Sequence, residues 1–438
     1  MEKGLRNMDP RRATVEVTYN GKDATIPLAP DLDSVKYTDV ASGSSDDISF
    51  EINDKHRRWI NGWFPQKGDR LTATIRMHNW EHDGKTAAIS CGSFCVDDFS
   101  FKGGPIRLSL KGLAIPADSG FKTTKRTYTY EKTTLKEIGR KVASRAGITL
   151  YYEASEISIE KVAQDNEDDC SFYNSLVTRF GLALKVFNNR LVVFNEGTYE
   201  ARSPVATLGE SDFDPGWTWN TTLDGTYTGV KYQYTNSDKD KVFTVTAGSG
   251  NRILTCNEAA ENLTEATVIA LAALNNANKK TTTMKITIRA CRKIIATSCV
   301  EIVGLGKLSG KYFVEEVSHS IGSGYKMSLS LRKVEARFTK ASSYSSSVAE
   351  AANGTTSTDA SETVSQTQNQ NFEKGGTYEL TVTKKGYYTA AEAVAGAASG
   401  GHPTSVCKPG SYYIFNTAKG MLNITKKQGS PGSWINPN

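Results

Sequence analysis

Long hydrophobic runs are missing from this 438-residue chain. Nothing approaches the ~18 consecutive apolar residues of a membrane span, and the opening MEKGLRNMDPRRATVEV has no apolar segment of signal-peptide length. The expectation is a chain made and kept in the cytoplasm unless something else carries it out. Cysteines are few. Seven, an odd number spread from Cys91 to Cys407, exclude a disulfide framework and leave reduced, buried thiols as the expectation. A strong excess of one charge is also absent, since 53 Lys and Arg stand against 47 Asp and Glu. No helix or strand alternates basic residues with exposed aromatics, which argues against sequence-specific nucleic-acid binding. The sequons at Asn220, Asn262 and Asn423 carry no meaning without an export route.

Catalytic constellations are missing too. His78, His82, Cys91 and Cys95 form pairs four apart, as zinc ligands do, but they fall on the arms of a hairpin, where residues four apart lie ~13 Å from one another. The acidic run Asp165, Glu167, Asp168 and Asp169 fails the EF-hand pattern, because Cys170 and Leu176 stand where Gly and Glu are needed. Those carboxylates are expected at the start of a helix, where they cap free N–H groups. Gly304, Gly306 and Gly310 precede a strand, so they offer no helix N-terminus to a phosphate. His319 has no nucleophile elbow, HExxH motif or acid partner around it, and a packed, hydrogen-bonded histidine is expected. No residue is therefore expected to serve catalysis or to hold a metal or cofactor, and no enzyme activity is expected.

What is present is mostly β pattern. From Ala13 to Pro116, short alternating segments are separated by turn residues: Val15, Val17 and Tyr19, then Ile48, Phe50 and Ile52, then arms at Leu71 to Trp80 and Thr86 to Asp97 around His82-Asp83-Gly84-Lys85. Five or more short strands at this spacing favour a β-barrel or sandwich. Between Glu131 and Asn195 the period becomes helical. Thr134 and Glu137 suggest a capping box, and Gly147 and Gly181 each end a helix before a strand, giving a small α+β domain. From Val205 to Phe338 the β pattern returns, interrupted by a helix expected over Asn257 to Asn278, which is placed on the side of a second barrel. Ala341 to Gln370 is Ser, Thr, Ala, Asn and Gln with almost no large apolar residue, so a mobile linker with a reach of roughly 30 Å is expected.

The chain is organised around Gly310 to Val334. Tyr312 to His319 is β-branched and aromatic, Ile321-Gly322-Ser323-Gly324 supplies a turn, and Tyr325 to Leu331 alternates. Tyr325, Met327, Leu329 and Leu331 share one face; Lys326, Ser328, Ser330 and Arg332 share the other, which is expected to be solvated or set against a partner. This run resembles the closing hairpin of the phage late control gene D family, the baseplate hubs of contractile tails, at Gly310, Tyr312, Phe313, Val314, Val317, His319, Gly324, Tyr325, Leu329, Leu331, Arg332 and Val334. Tyr37 to Asp69 and Cys91 to Pro105 resemble the first domain of the same family, and the resemblance runs from about Val15 to Val334. After the linker, Gly386 to Ala393, Lys408 to Asn416 and Gly420 to Pro437 resemble the small, SH3-like C-terminal module of clostridial phage proteins and cell-wall amidases.

The resemblance implies a mainly β chain with an α+β insert. Residues 1–118 would be a first tube-like β-barrel domain, 119–200 the helix-strand middle domain, 201–338 a second barrel with one helix, 339–372 a flexible linker and 373–438 the SH3-like module. It further implies a homotrimer whose six quasi-equivalent barrels adapt a sixfold tail tube to a threefold spike. Its partners would be the tail tube or tube initiator, the spike or needle and the baseplate wedges, in a phage or tail-like bacteriocin assembled in the bacterial cytoplasm. Peptidoglycan is a further implied partner of the module. Trp59, Trp63, Trp217 and Trp219 are expected in core and loop packing; Tyr412, Tyr413, Phe415 and Trp434 are the candidate wall or partner contacts. Two alternatives stay open, a peptidoglycan hydrolase carrying this module and a free-standing wall-binding adhesin.

Overall fold

The fold is a computed structural model that describes residues 10–80, 84–114, 120–236, 241–348, 376–380, 383–395, 403–418, 421–428 and 430–437. It divides into two compact units, Met1–Ala351 and Ala352–Asn438, and it is mainly β.

The larger unit begins with Arg12–Tyr19 (β1), Lys22–Asp23 (β2), a short helix Thr25–Leu28 (α1), Leu32–Val40 (β3), Asp47–Asn53 (β4), Arg70–His78 (β5), Thr86–Lys102 (β6) and Arg107–Leu113 (β7). Next come Lys125–Thr134 (β8), Leu135–Arg145 (α2), Thr149–Glu153 (β9), Ser158–Asp168 (β10), Asp169–Arg179 (α3), Ala183–Phe187 (β11), Arg190–Phe194 (β12) and Glu196–Ala201 (α4). It continues through Ala206–Leu208 (β13), Thr218–Thr221 (β14), Gly229–Asn236 (β15), Lys241–Gly248 (β16), Ile253–Cys256 (β17) and Leu263–Asn278 (α5). Thr282–Arg289 (β18), Cys299–Ile302 (β19), Gly310–Ile321 (β20), Tyr325–Lys333 (β21) and Ser343–Val348 (β22) complete it.

One sheet gathers strands from both ends of this unit, in the order β14-β18-β21-β20-β3-β4-β7-β6-β5-β1-β2, with β19 on β20 and β13 on β19. Two sets of six strands inside it share one pairing order. The first runs β1-β5-β6-β7-β4-β3 and the second β13-β19-β20-β21-β18-β14, so in each the strands follow as first, fourth, fifth, sixth, third and second of the set. The two sets correspond residue by residue. Ile48, Phe50 and Ile52 of β4 take the places of Met284, Ile286 and Ile288 of β18, and all six are buried because strand alternation sends them to one face. The bulge between Val96 and Asp98 matches the one between Val314 and Glu316. Gly92 and Gly310 stand at matching positions, both with φ in the left-handed half of the map (90° and 135°), a region that side chains rarely adopt. One strand departs: β1 runs antiparallel to β5, whereas β13 runs parallel to β19. Both sets feed a single apolar core, from Val15 to Ala114 and from Leu208 to Leu331.

The second core lies under α2, α3 and α5. Thr134 accepts the N–H of Glu137 at 3.2 Å and so caps α2, while the Glu137 carboxylate turns to Arg140 instead of closing a reciprocal box. Asp168 caps α3 through the N–H of Ser171 at 2.9 Å, as the acidic run implied, and Gly147 and Gly181 follow the helices with positive φ. α5 begins at Leu263, six residues after the expected start, because the Asn262 side chain takes the N–H of Glu265 and fixes the cap there. This helix packs with β15 to β17 and the middle segment, not on the large sheet that holds β18 to β21. The expected linker is also shorter at its start. Ser343–Val348 pairs with β16, since an open edge binds backbone whatever the side chains, and Thr246 and Ser343 hydroxyls meet at 2.7 Å across it. Residues 349–370 of that expectation lie outside the described residues.

The smaller unit holds Thr377–Leu380 (β23), Lys384–Tyr387 (β24), Ala390–Ala395 (α6), Pro403–Cys407 (β25), Gly410–Ala418 (β26), Met421–Thr425 (β27) and Ser433–Ile435 (β28). Its strands form one sheet in the order β23-β26-β27-β28-β24-β25. Leu422 and Ile424 are buried with Leu380, Cys407 and Ile435, and Met421 is buried with Tyr387 and Ala393 in a separate cluster.

Candidate functional site: the joint between the two strand sets

The two sets meet where β3 pairs antiparallel with β20, Tyr37 opposite His319 and Asp39 opposite Val317. β20 is long enough to serve two partners along one edge. Its first residues, Gly310 to Phe313, pair with β19, and from Glu316 onward the same edge takes β3.

The aromatic layer of the joint is neutral. The Tyr37 and His319 rings stack at 5.5 Å and 11°, and His319 Nδ1 lies 2.8 Å from the Tyr325 hydroxyl. His319 is 2% exposed. Burial pushes its imidazole down to about 4 although Asp39 pulls the other way, so it is uncharged at neutral pH. It is the packed, hydrogen-bonded histidine expected from the sequence. Beneath it, Lys185 of β11 pairs with Asp39 and stands 3.2 Å from Asp46, and it donates to the Val40 carbonyl at 2.7 Å. Asp39 also accepts the Ala296 N–H at 2.8 Å, and Asp46 the Val40 N–H at 2.9 Å. Burial pushes the Asp46 carboxyl up against the pull of Lys185, and burial opposes the Lys185 charge while the two carboxylates raise it. The ammonium thus fastens the second core to the joint.

A second cluster holds the outer end of the hairpin. Strand alternation put Arg332 with Lys326, Ser328 and Ser330 on the face expected to be solvated or set against a partner, yet it is 2% exposed and is covered from within the chain. Its guanidinium lies 2.5 Å from Glu200, 3.0 Å from Glu315 and 3.4 Å from Glu196, over the Phe313 ring at 4.3 Å. Arg337 makes a fork to Glu200, both contacts at 2.6 Å, and Lys279 at the end of α5 reaches Glu196 at 3.1 Å. Burial opposes charge on both glutamates, but the surrounding cations hold each below its usual range. Sequence reasoning passed over Glu196 and Glu200. Their signal was an acidic pair four apart, on one face of a helix capped by Asn195.

Both clusters are made of packed rings and paired charges. Cys91 and Cys95 are buried and burial pushes the Cys91 thiol up to about 12, while His78, partly exposed at the end of β5, is hydrogen-bonded to Thr14 and Thr86. His82 lies outside the described residues. Among the described residues no group of three or more His, Cys, Asp or Glu could hold a metal ion, and no helix is long and apolar enough to cross a membrane. Trp59 is buried, Trp217 and Trp219 pack on the main core, and Trp63 is half-exposed beneath the Arg58 guanidinium at 4.5 Å.

In the smaller unit the four candidate aromatics do not form one face. Tyr412 packs towards Leu380 and Leu422, donates to the Lys408 carbonyl at 2.8 Å and lies under the Lys426 ammonium at 3.9 Å. Trp434 packs instead with Tyr387 and Met421. Tyr413 and Phe415 are half-buried neighbours of Ile414 along β26.

Comparison with known proteins places this fold. Residues 121–332 match a family model described as YQBQ-like. No curated protein matches the chain. Among solved structures, it is similar to the 43 kDa tail protein of prophage MuSo2 from Shewanella oneidensis, with 13% identity, 73% of this chain and 98% of that chain covered, and a TM-score of 0.56. It is equally similar to a tail protein from Neisseria meningitidis MC58, with 15% identity, coverage of 74% and 97%, and a TM-score of 0.56. A prophage tail protein from Listeria monocytogenes EGD-e matches at 10% identity, coverage of 72% and 94%, and a TM-score of 0.47. At these identities the likeness is one of fold.

Proposed function

We propose that this chain is a structural hub subunit of a phage tail or tail-like injection particle. Three copies form a ring in which residues 1–118 and 201–338 of each supply equivalent β-barrel positions, and the resulting six positions match a sixfold tail tube on one face and a threefold spike on the other. The observation that carries the reading is the repeated six-strand order within one polypeptide, down to matching bulges and glycines. The fold shared with two tail proteins supports it. In this reading the middle segment, residues 119–200, lies at the ring's periphery or spike-facing side. Residues 339–372 link the hub to an SH3-like module, 373–438, which contacts peptidoglycan or a neighbouring tip protein through one of the two faces that carry Tyr412 and Trp434. The chain performs no chemistry; it fixes the tube, anchors the tip and leaves a channel.

The test is imaging of particles from cells producing this chain with a fused label. Label density at the tail tip is expected, and particles without the label at the tip would overturn the reading. Purified chain is expected to leave peptidoglycan intact, and turnover would favour the hydrolase alternative.

A further inference from the structure

The two strand sets correspond closely enough to show which edges of the chain are unfilled. Within the chain, the edge of β20 beyond Val314 is taken by β3. The matching strand in the first set is β6. Val96 exchanges backbone hydrogen bonds with Gly68 and Asp69 just as Val314 does with Thr297 and Ser298, and both strands then bulge and turn towards their hairpin partner. Beyond this point β6 pairs with β7 on one edge, and among the described residues no strand occupies the other. The counterpart of β3 is β14, which pairs with β18 as β3 pairs with β4 and stands at the end of the sheet. Among the described residues there are therefore one filled joint and both halves of a second, unfilled one.

We infer that β14 of one copy pairs antiparallel with the Asp98–Lys102 end of β6 in the next copy, repeating the β3–β20 joint between chains. The register follows from the internal joint, where Tyr37 faces His319 and Thr38 faces Ser318. Carried across, Trp219 faces Phe101 and Asn220 faces Ser100. The occupant is a second copy because β3, the element that fills the matching edge inside the chain, has its one structural equivalent in β14. The side chains suit it. Phe99 and Phe101 are only partly buried and meet Phe64, 52% exposed, at 5.5 and 5.7 Å, an aromatic patch beside the open edge of β6. Trp219 would supply the ring that Tyr37 supplies at the internal joint. Open edges beside apolar side chains are aggregation hazards in a monomer, and a closing ring consumes them. This inference rests on the ring reading above and gives it a contact and a register.

The test is disulfide trapping with full-length chains. Asn220→Cys and Ser100→Cys are made in separate chains, each replacing an exposed polar residue. Directly opposed strand residues lie within the Cα separation that a disulfide accepts, whereas diagonal neighbours at ~7–8 Å exceed it. Under mild oxidation each variant alone is expected to stay unlinked through these positions. Mixed, they should give a linked two-chain product, and a chain carrying both substitutions should give a closed three-chain product. Replacing Ser100→Cys by Asp98→Cys or Lys102→Cys in the mixture should lower the linked fraction several-fold. If the mass in solution shows three-chain rings but the mixture does not link, the pairing is wrong and the ring reading survives. If no oligomer forms at any concentration and nothing links, both fall. Equal linking at all three positions would overturn the register.

Discussion

The two strand sets differ most where their order is interrupted. The first is broken only by the two-residue β2 and the short α1 between β1 and β3, and its second strand, β3, is covered by β20. In the second, β15 to β17 and α5 are inserted between β14 and β18, and β14 is left at the end of the sheet. The buried faces of β4 and β18 nonetheless match position for position, so the insertion was accommodated without re-registering these strands. The difference has been absorbed by charge. Arg332 of β21 corresponds to Leu113 of β7, and only the second set carries the buried cluster that ties α4 and the end of α5 to the hairpin. The insertion buries an apolar core of its own with the middle segment, and ion pairs fasten its end to the hairpin, whereas the sheet is held by apolar alternation.

The strongest way to break that contrast is Arg332→Ala. It leaves Glu196 and Glu200 buried with fewer partners, and a loss of about 3–5 kcal/mol is expected in denaturant unfolding, with hydrogen-exchange protection falling first in α4 and the end of α5. Loss spread evenly over the sheet would deny the cluster its local role. Next come the matched apolar positions. Phe50→Ala should cost about 3–5 kcal/mol and Ile286→Ala about 2–5 kcal/mol, and because both residues lie in one core, each variant should unfold β4 and β18 together. Separate transitions for the two sets would show two independent cores.

The joint itself is sharpened by pH. The folded pKa of His319, about 4, lies below its ordinary 6.5, so its contribution is fully present above about 6.5 and is lost as pH falls towards 4. That contribution is roughly 3 kcal/mol across the interval, and His319→Gln should flatten this part of the acid limb relative to the unmodified chain. Parallel acid limbs in the two proteins would place His319 outside the titrating joint. The smallest effect is expected at the added edge strand. Ser345→Pro in β22 removes a ladder donor from a polar segment, so about 1 kcal/mol or less should be lost, with faster proteolysis confined to residues 343–348.

Local pattern made much of this legible. The hairpin from Gly310 to Lys333 could be read because alternation and a Gly-Ser-Gly turn are properties of neighbours in sequence, and Asp168 announced α3 by capping chemistry. The joint could not be read this way. Pairing of β3 with β20 joins residues almost three hundred positions apart, and no local rule selects that edge over another. Arg332 was misplaced for a related reason: alternation assigns a face, but α4, which brings the carboxylates, arrives from elsewhere in the chain. Ser343–Val348 looked like linker because its composition cannot form a core, although an edge strand needs only backbone to pair. The candidate aromatics of the smaller unit were grouped by type, and the sheet separates Tyr412 from Trp434.

The equivalence of the two strand sets is tested most directly by electron microscopy of the purified full-length chain, with its mass measured in the same sample. Rings of three chains whose averaged images repeat nearly every sixth of a turn are predicted. Three-chain rings with threefold repetition alone, or a chain that stays single at every concentration, would contradict the account.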